Sequence, residues 1–326
     1  MSIKKVKTKT HDEWLELRSQ YIGGSDAAAV VGMNAFSSPY SLWAEKTGKQ
    51  AGFSGNLATD VGTFLEEFIA QRFATVSGKK VRNCNQSFFN SKYPFAIANI
   101  DREVVGEDSG LECKSTSALS ASRFKDSDIP ANYYCQCVHY LAVTEKKRWF
   151  VAVLIGNSDF KVYLLTRYEN DTCPEWCETM FHITDGEIEA LMNEEANFWD
   201  HVVQDMPPEV DGLKVTTDTI SSIYAESDDT SVDLMAYKTD LADYVAISQQ
   251  IKELEVQKDE KANRIKTFMG ESSGGFCDGF KASWKTTKRK TFDVGRFASE
   301  NPNIDLTKYY KNSSYRTFKI TESKGA

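Results

Sequence analysis

The chain has 326 residues, 41% hydrophobic, 26% charged and 12% aromatic, with seven cysteines and a formal net charge of -8. That length suits one large domain or two ordinary ones, and the apolar fraction can build a globular core. No window reaches about 18 consecutive apolar residues, so no membrane span is expected, and the polar run 1–10 lacks the apolar stretch of a signal or transit peptide, which points to a cytoplasmic protein.

The negative charge is concentrated in one segment. Residues 1–169 carry 21 Lys/Arg and 18 Asp/Glu (net +3), residues 170–230 carry 1 and 16 (net -15), and residues 231–326 carry 17 and 13 (net +4). An overall excess of acid therefore does not exclude a basic groove for a polyanion elsewhere. The odd, scattered cysteines read as reduced thiols, and Cys135-x-Cys137 and Cys173-x3-Cys177 lack the repeated CxxC spacing of a metal site.

In chain order, a short helix is expected around Trp14–Arg18. A Gly23-Gly24 turn then leads into a helix opened by Ser25-Asp26, and another helix follows near Pro39–Thr47. Gly62–Thr75 has amphipathic spacing, with Phe64, Leu65, Phe68, Ile69 and Phe73 on its apolar side. Strands are expected at 80–82, 87–89, 96–105 and 110–114, a helix over 130–143, and two strands at 149–155 and 160–166 joined by an Asn-Ser-Asp turn. These alternations predict an α/β or α+β domain over residues 10–205 with a central mixed sheet flanked by helices. Its last helix begins at Asp185 and turns Ile188, Leu191, Met192, Trp199 and Val203 inward.

Beyond Pro207-Pro208 the reading is an acidic linker, 206–239. A C-terminal region, 240–320, then opens with a long helix bearing Leu241, Tyr244, Ile247, Ile251, Leu254, Ile265 and Phe268, a spacing for packing on a partner or on itself. A β-hairpin turning at Asp278-Gly279 follows. The tail interleaves Lys/Arg with Tyr309, Tyr310, Tyr315 and Phe318, which suits either a phosphate-tracking, base-stacking arm or aromatic packing of the hairpin onto the helix.

The chemistry centres on Asp101, ten intervening residues, then Glu112-Cys113-Lys114. In a strand Glu112 and Lys114 share a face while Cys113 takes the other. With Asp101 on a paired strand, two carboxylates and an ammonium converge, and with the Cys113 carbonyl they supply enough oxygen ligands for a hydrated Mg²⁺ ion. Glu66, from the Gly62 helix, is a candidate further ligand. On spacing alone, an exposed hairpin with a weak surface ion pair accounts for the same residues better, because D-x10-ExK is common by chance. Glu67 lies about 100° from Glu66 around the helix and reads as solvated. The four histidines show no HExxH-type spacing.

Five blocks in order tip the balance: Trp14-x3-Arg18 with Ile22-Gly23-Gly24-Ser25-Asp26; Leu42-Trp43-x2-Lys46-Thr47-Gly48; Gly62-x3-Glu66; Asp101 with Glu112-x-Lys114; and Gln136-x3-Tyr140. Together they resemble the lambda exonuclease and YqaJ-type phage recombinase nucleases, a branch of the PD-(D/E)xK superfamily. The resemblance covers about residues 12–205. It departs at Ile100, which stands where the superfamily has its naming proline.

The resemblance implies a restriction-endonuclease-like core and makes Asp101 and Glu112 metal ligands, Glu66 a ligand of a second metal, and Lys114 the water-positioning base. It gives Gln136 and Tyr140 places beside the metal-site strand and the DNA, and Arg18 and Ser25 a grip on a terminal 5′-phosphate, for which a helix N-terminus at Ser25 would supply independent physics. The function implied is a Mg²⁺-dependent (or Mn²⁺-dependent) 5′-to-3′ exonuclease on linear double-stranded DNA. It would work in phage-type recombination, in a bacterial or phage-infected cell, beside a single-strand annealing protein and as a ring-shaped homotrimer. The acidic 170–230 segment would then lie away from the DNA. Alternatives are an endonuclease or RecB-like nuclease of the same superfamily, and a non-catalytic DNA-binding module.

Overall fold

The computed structural model describes residues 2–52, 54–311 and 314–321, apart from the side chains of 126 and 127. The first of two units, Met1–Tyr224, begins with β1 (Ile3–Val6), α1 (His11–Ser19), β2 (Ile22–Gly23), α2 (Ala27–Val30), α3 (Pro39–Lys46) and α4 (Leu57–Ser77). Five strands follow: β3 (Val81–Asn83), β4 (Ser87–Asn90), β5 (Ala96–Asn99), β6 (Arg102–Val104) and β7 (Ser109–Thr116). After a 3-10 stretch (Ala118–Ser127) come α5 (Ala131–Thr144), β8 (Arg148–Ile155), β9 (Asp159–Thr166), β10 (Thr179–His182), α6 (Asp185–Val203) and α7 (Lys214–Ile223). Among the described residues no helix is long and apolar enough to cross a membrane.

The strands form a four-stranded sheet ordered β1-β4-β5-β2 and a six-stranded mixed sheet ordered β10-β9-β8-β7-β6-β3. The larger one is organised by β8, whose sequence Arg148–Ile155 is apolar at almost every position, as a strand covered on both faces must be. Trp149, Val151 and Val153 enter the core shared with α5 and α6, while Phe150 and Ala152 enter the second core under α4. The expected mixed sheet flanked by helices is thus the architecture found.

Several boundaries differ from expectation. The single strand expected over 96–105 is two strands in different sheets, because the chain leaves β5 at Ile100-Asp101 and starts again in β6. Helix α4 starts at Leu57, capped by Asn56, and it buries only Ile69, Ala70 and Phe73 fully; Phe64 is 84% exposed and Phe68 54%. In α6 Val203 faces outward and the inward side is completed by Glu195 and Phe198. The stretch expected as a linker holds α7, which packs on α3 and buries Thr216 and Thr219, with Thr216 Oγ1 donating to Ser38 Oγ at 2.6 Å. Strand β10 was not legible at all.

The second unit, Ala225–Ala326, contains α8 (Lys238–Met269), the hairpin β11 (Gly274–Cys277) and β12 (Phe280–Ser283), and α9 (Val294–Glu300). The long helix and hairpin match expectation. In the tail, positions 312, 313 and 322–326 lie outside the described residues.

Deep in the first unit an ion pair ties three elements together. His139 of α5 lies 2.9 and 3.0 Å by Nδ1 from the two Glu195 oxygens of α6, and its Nε2 is 3.0 Å from the Ile97 carbonyl of β5. The Ile97 carbonyl can only accept, so Nε2 carries a proton, and the Glu195 charge draws a second proton onto Nδ1, although burial raises the Glu195 pKa as well. Burial opposes that charge, but the Glu195 carboxylate outweighs it and the His139 pKa is raised. A raised folded-state value means the pair stabilises fully below the ordinary imidazole pKa of about 6.5 and loses that contribution as pH climbs through the folded value. Glu195→Ala breaks this buried pair, leaves His139 Nδ1 without a partner, and is expected to cost about 3–5 kcal/mol in urea unfolding. The same variant should abolish the fall of stability with pH above about 6.5; an unchanged slope overturns the assignment.

Candidate active site

Strand β7 carries the centre. Leu111 and Cys113 point into the core under α4, so Glu112 and Lys114 take the opposite face toward α5, as alternation requires. Strand β6 runs antiparallel to β7 with Arg102 opposite Leu111, which brings the preceding Asp101 alongside Glu112 and Cys113. Asp101 Oδ2 accepts the Cys113 backbone N–H at 2.8 Å. The carboxylate is thus held by the neighbouring strand of the hairpin.

Glu112 is 2% exposed. Its Oε1 accepts from Lys114 Nζ at 2.6 Å and from Gln136 Nε2 at 2.7 Å, and Gln136 Nε2 also lies 2.8 Å from the Tyr140 hydroxyl one turn along α5. Its Oε2 is buried with no hydrogen-bond partner. Burial and the Glu112 and Glu66 charges push the Asp101 carboxyl well above its ordinary range, against the pull of Lys114. The Lys114 amine is desolvated, yet Glu112 and Asp101 raise its pKa and hold it protonated.

Glu66 reaches the site from α4, on the far side of the sheet. There it pairs with Arg102, whose second amino group contacts Glu67 at 3.1 Å and which donates to the Asp101 carbonyl at 2.8 Å. Sequence reasoning missed Arg102, although it directly follows Asp101; nothing in the pattern distinguishes its inward course from that of a solvated arginine. Glu67 is exposed on the helix but shares this arginine.

The amino-terminal residues complete the cleft. Arg18 of α1 donates to Ser25 Oγ at 2.5 Å and lies 3.9 Å from Asp26, with its guanidinium over the Trp14 ring. Asp26 is itself fixed by Lys46 at 2.9 Å and by the Gly23 N–H, and those cations hold its carboxyl in the ionised form despite burial. Ser25 is not a helix cap: Asp26 takes that position and α2 has only four residues, so the expected helix-terminus field is absent. Glycine is required at position 24, because a Cβ there would come within 2.5 Å of the Tyr140 ring.

Arg18, Ser25, Glu66, Asp101, Glu112, Cys113, Lys114, Gln136 and Tyr140, the nine candidate site residues, line one cleft of about 830 Å³. Its lining runs from Thr8 to Tyr140 and includes nothing from the acidic 170–230 segment.

Among the described residues no group of three His, Cys, Asp or Glu side chains is arranged to hold a metal ion, since Glu66 is turned to Arg102 and Glu112 to Lys114. The donor set nonetheless fits a hard divalent ion. Four carboxylates (Glu66, Glu67, Asp101, Glu112) face two fixed cations (Arg102, Lys114), and one buried carboxylate oxygen is left without a partner.

Residues 13–147 match the model of the YqaJ-like viral recombinase domain. The chain is also 34% identical over 319 residues to the uncharacterized protein YqaJ of Bacillus subtilis strain 168, covering 96% of this chain and 95% of that one. It belongs to the YqaJ family. Membership bears out the resemblance to YqaJ-type recombinases read from the five motif blocks.

Among solved structures, the alkaline exonuclease LHK-Exo of Laribacter hongkongensis is 16% identical with a TM-score of 0.47, covering 60% of this chain and 93% of that one. LHK-Exo in complex with dAMP gives 18% and 0.48 over the same shares. A phage-related exonuclease from Haemophilus somnus gives 11% and 0.40, over 59% of this chain and 99% of that one.

The electrostatics of this YqaJ-family cleft make a prediction for the metal-free protein. A carboxyl whose folded pKa is raised withholds stability at neutral pH and returns it as pH falls through that value. Asp101→Asn, which keeps an acceptor for the Cys113 N–H, should therefore raise the melting temperature in EDTA at pH 7, at roughly 2–4 °C per kcal/mol for a unit of this size. It should also flatten the gain on acidification. A lower melting temperature at both pH values overturns the reading.

Proposed function

We propose that this chain is a divalent-metal-dependent exonuclease that degrades linear double-stranded DNA from 5′-phosphorylated ends, with Mg²⁺ as the ordinary cofactor and Mn²⁺ as a substitute. The observation that carries the reading is the partnerless Glu112 oxygen beside the like-charged Asp101, in a cleft that also holds Arg18 and Ser25.

Asp101, Glu112 and the Cys113 carbonyl would hold the ion, with Glu66 joining on release from Arg102. When bound, the ion supplies Lewis-acid charge and a water of lowered pKa. This chain's own residues do the rest. Lys114, held as an ammonium, donates to the attacking water or to a phosphate oxygen as charge develops there. Gln136 keeps Glu112 oriented and is in turn set by Tyr140, whose buried hydroxyl acts through Gln136. Arg18 and Ser25 grip the terminal phosphate, the arginine fork matching its oxygens. A ring-shaped trimer and a single-strand annealing partner remain part of the reading on the strength of the motif resemblance.

Asp101→Ala or Glu112→Ala should reduce Mg²⁺-dependent digestion to background, at least about 10³-fold, a loss typical of removing a single electrostatic element of a catalytic site. Fold and DNA binding should persist; cleavage near the wild-type rate overturns the site. End-labelled linear duplex with 5′-phosphate should be digested faster than the same duplex with 5′-hydroxyl, and Arg18→Ala should erase that difference. Equal wild-type rates on the two ends remove the phosphate pocket, and cutting of closed circles would favour an endonuclease.

For the tail, exposed Tyr309, Tyr310 and Tyr315 among lysines favour the DNA-tracking arm over internal packing, with Phe318 on Tyr244 as the counter-example. Ending the chain at residue 271 should weaken DNA binding and make its salt dependence shallower at unchanged melting temperature. Earlier melting with an unchanged salt slope makes the tail structural.

A further inference from the structure

Arg102 opens β6 and lines the cleft with a side chain that is only 8% exposed. Its Nη1 donates to two oxygens at once, the Glu66 carboxylate from α4 and the Asp101 carbonyl at 2.8 Å, while Nη2 donates to Glu67 at 3.1 Å. Two oxygens from separate elements thus converge on one cationic nitrogen, the grouping that a hard divalent ion also seeks. The other half of the cleft differs. There Glu112 keeps a buried oxygen without a partner, so a cation can enter at an open position, whereas at Glu66 an ion pair with an almost wholly buried arginine must first be broken.

We propose that Arg102 is a built-in counter-ion that keeps the place of a second metal and yields it only to DNA. The inference rests on the nuclease reading and gives that site its regulation. Without DNA, Arg102 holds Glu66 and the protein takes one divalent ion, at Asp101 and Glu112. A duplex in the cleft offers the guanidinium a phosphate, whose oxygens match its fork as a carboxylate does. Arg102 then exchanges Glu66 for the phosphate, and Glu66 becomes free to ligate.

The charges agree. Four carboxylates, Glu66, Glu67, Asp101 and Glu112, less two fixed cations, Arg102 and Lys114, leave two negative charges, which one divalent ion cancels. The charge of a further ion stays unmatched until phosphates enter beside it. DNA and the second ion therefore bind cooperatively, and by linkage each strengthens the other by the same factor.

Counting bound Mn²⁺ on the full-length protein by electron paramagnetic resonance tests the proposal. The count is the excess over a Glu66→Ala, Glu112→Ala variant in an otherwise identical sample, which subtracts ions held elsewhere on the protein or on DNA. The duplex is 5′-phosphorylated, with phosphorothioate at its first linkages to prevent digestion. Wild-type protein should hold one Mn²⁺ per chain alone and two with the duplex, the affinity for the second ion rising at least about tenfold. Arg102→Met should hold two without DNA, and Arg102→Lys, which restores the charge, should hold one. Circular dichroism checks that each variant is folded, and the wild-type comparison stands without them. Two ions on wild-type protein without DNA overturn the proposal, as does a single ion with DNA. A folded Arg102→Met protein that holds one ion, or an Arg102→Lys protein that holds two, overturns it as well. No excess Mn²⁺ in any sample removes the metal site itself, and with it the reading on which the inference rests.

Discussion

A carboxylate buried almost completely between a sheet and a helix is the constraint from which most of this site follows. Glu112 can remain inside only if donors reach it, and two do, Lys114 from its own strand and Gln136 from α5. Gln136 is set by Tyr140, and Tyr140 rests on Trp149 with ring centroids 4.9 Å apart. The Gly23-Gly24 turn closes over that ring because it carries no side chain at position 24. A requirement for one charge at one point thus fixes the course of the amino-terminal loop that brings Ser25 next to Arg18.

Helix α5 satisfies opposite demands on its different faces. Its Gln136 and Tyr140 serve the open cleft, while His139 lies in the interior with both ring nitrogens committed to β5 and α6. The imidazolium does not line the cleft. It anchors the helix that orients Glu112, on the side away from water, where a charged pair is expensive to break. Asp26 with Lys46 repeats the arrangement for the amino-terminal loop, a buried pair beneath the half-buried Arg18 and the exposed Ser25.

Where apolar alternation decided the structure, the sequence was legible. Strands β7, β8 and β9 and helix α5 lie close to where their patterns put them, because each buries a face that only one register allows. The side-chain set of the cleft was legible too, but through the order of motif blocks; the Asp101 to Lys114 spacing by itself did not separate a catalytic hairpin from a surface one. Side chains whose role depends on long-range geometry were not legible. Arg102 follows Asp101 and reads as an ordinary strand arginine, while Glu195 sits 56 residues from its His139 partner. The outward turn of Phe64 and Phe68 also went unread, since a helix with apolar residues on two faces does not say which one the protein covers.

The break between β5 and β6 sets a length. Asn99 ends the smaller sheet, where it accepts from Trp14 of the amino-terminal layer at 3.1 Å, and Arg102 begins the larger one, so only Ile100 and Asp101 cross from one to the other. With Ile100 buried and Asp101 held by the Cys113 N–H, the crossing has no slack. On the proposed function, a phosphate held by Arg18 and Ser25 would therefore be set against Asp101 through a crossing of two residues. The cleft would then act as a ruler graduated in whole residues, and adding one to the crossing would move Asp101 by about one strand increment, roughly 3.3 Å, while leaving the Arg18, Ser25 and Asp101 side chains themselves unchanged.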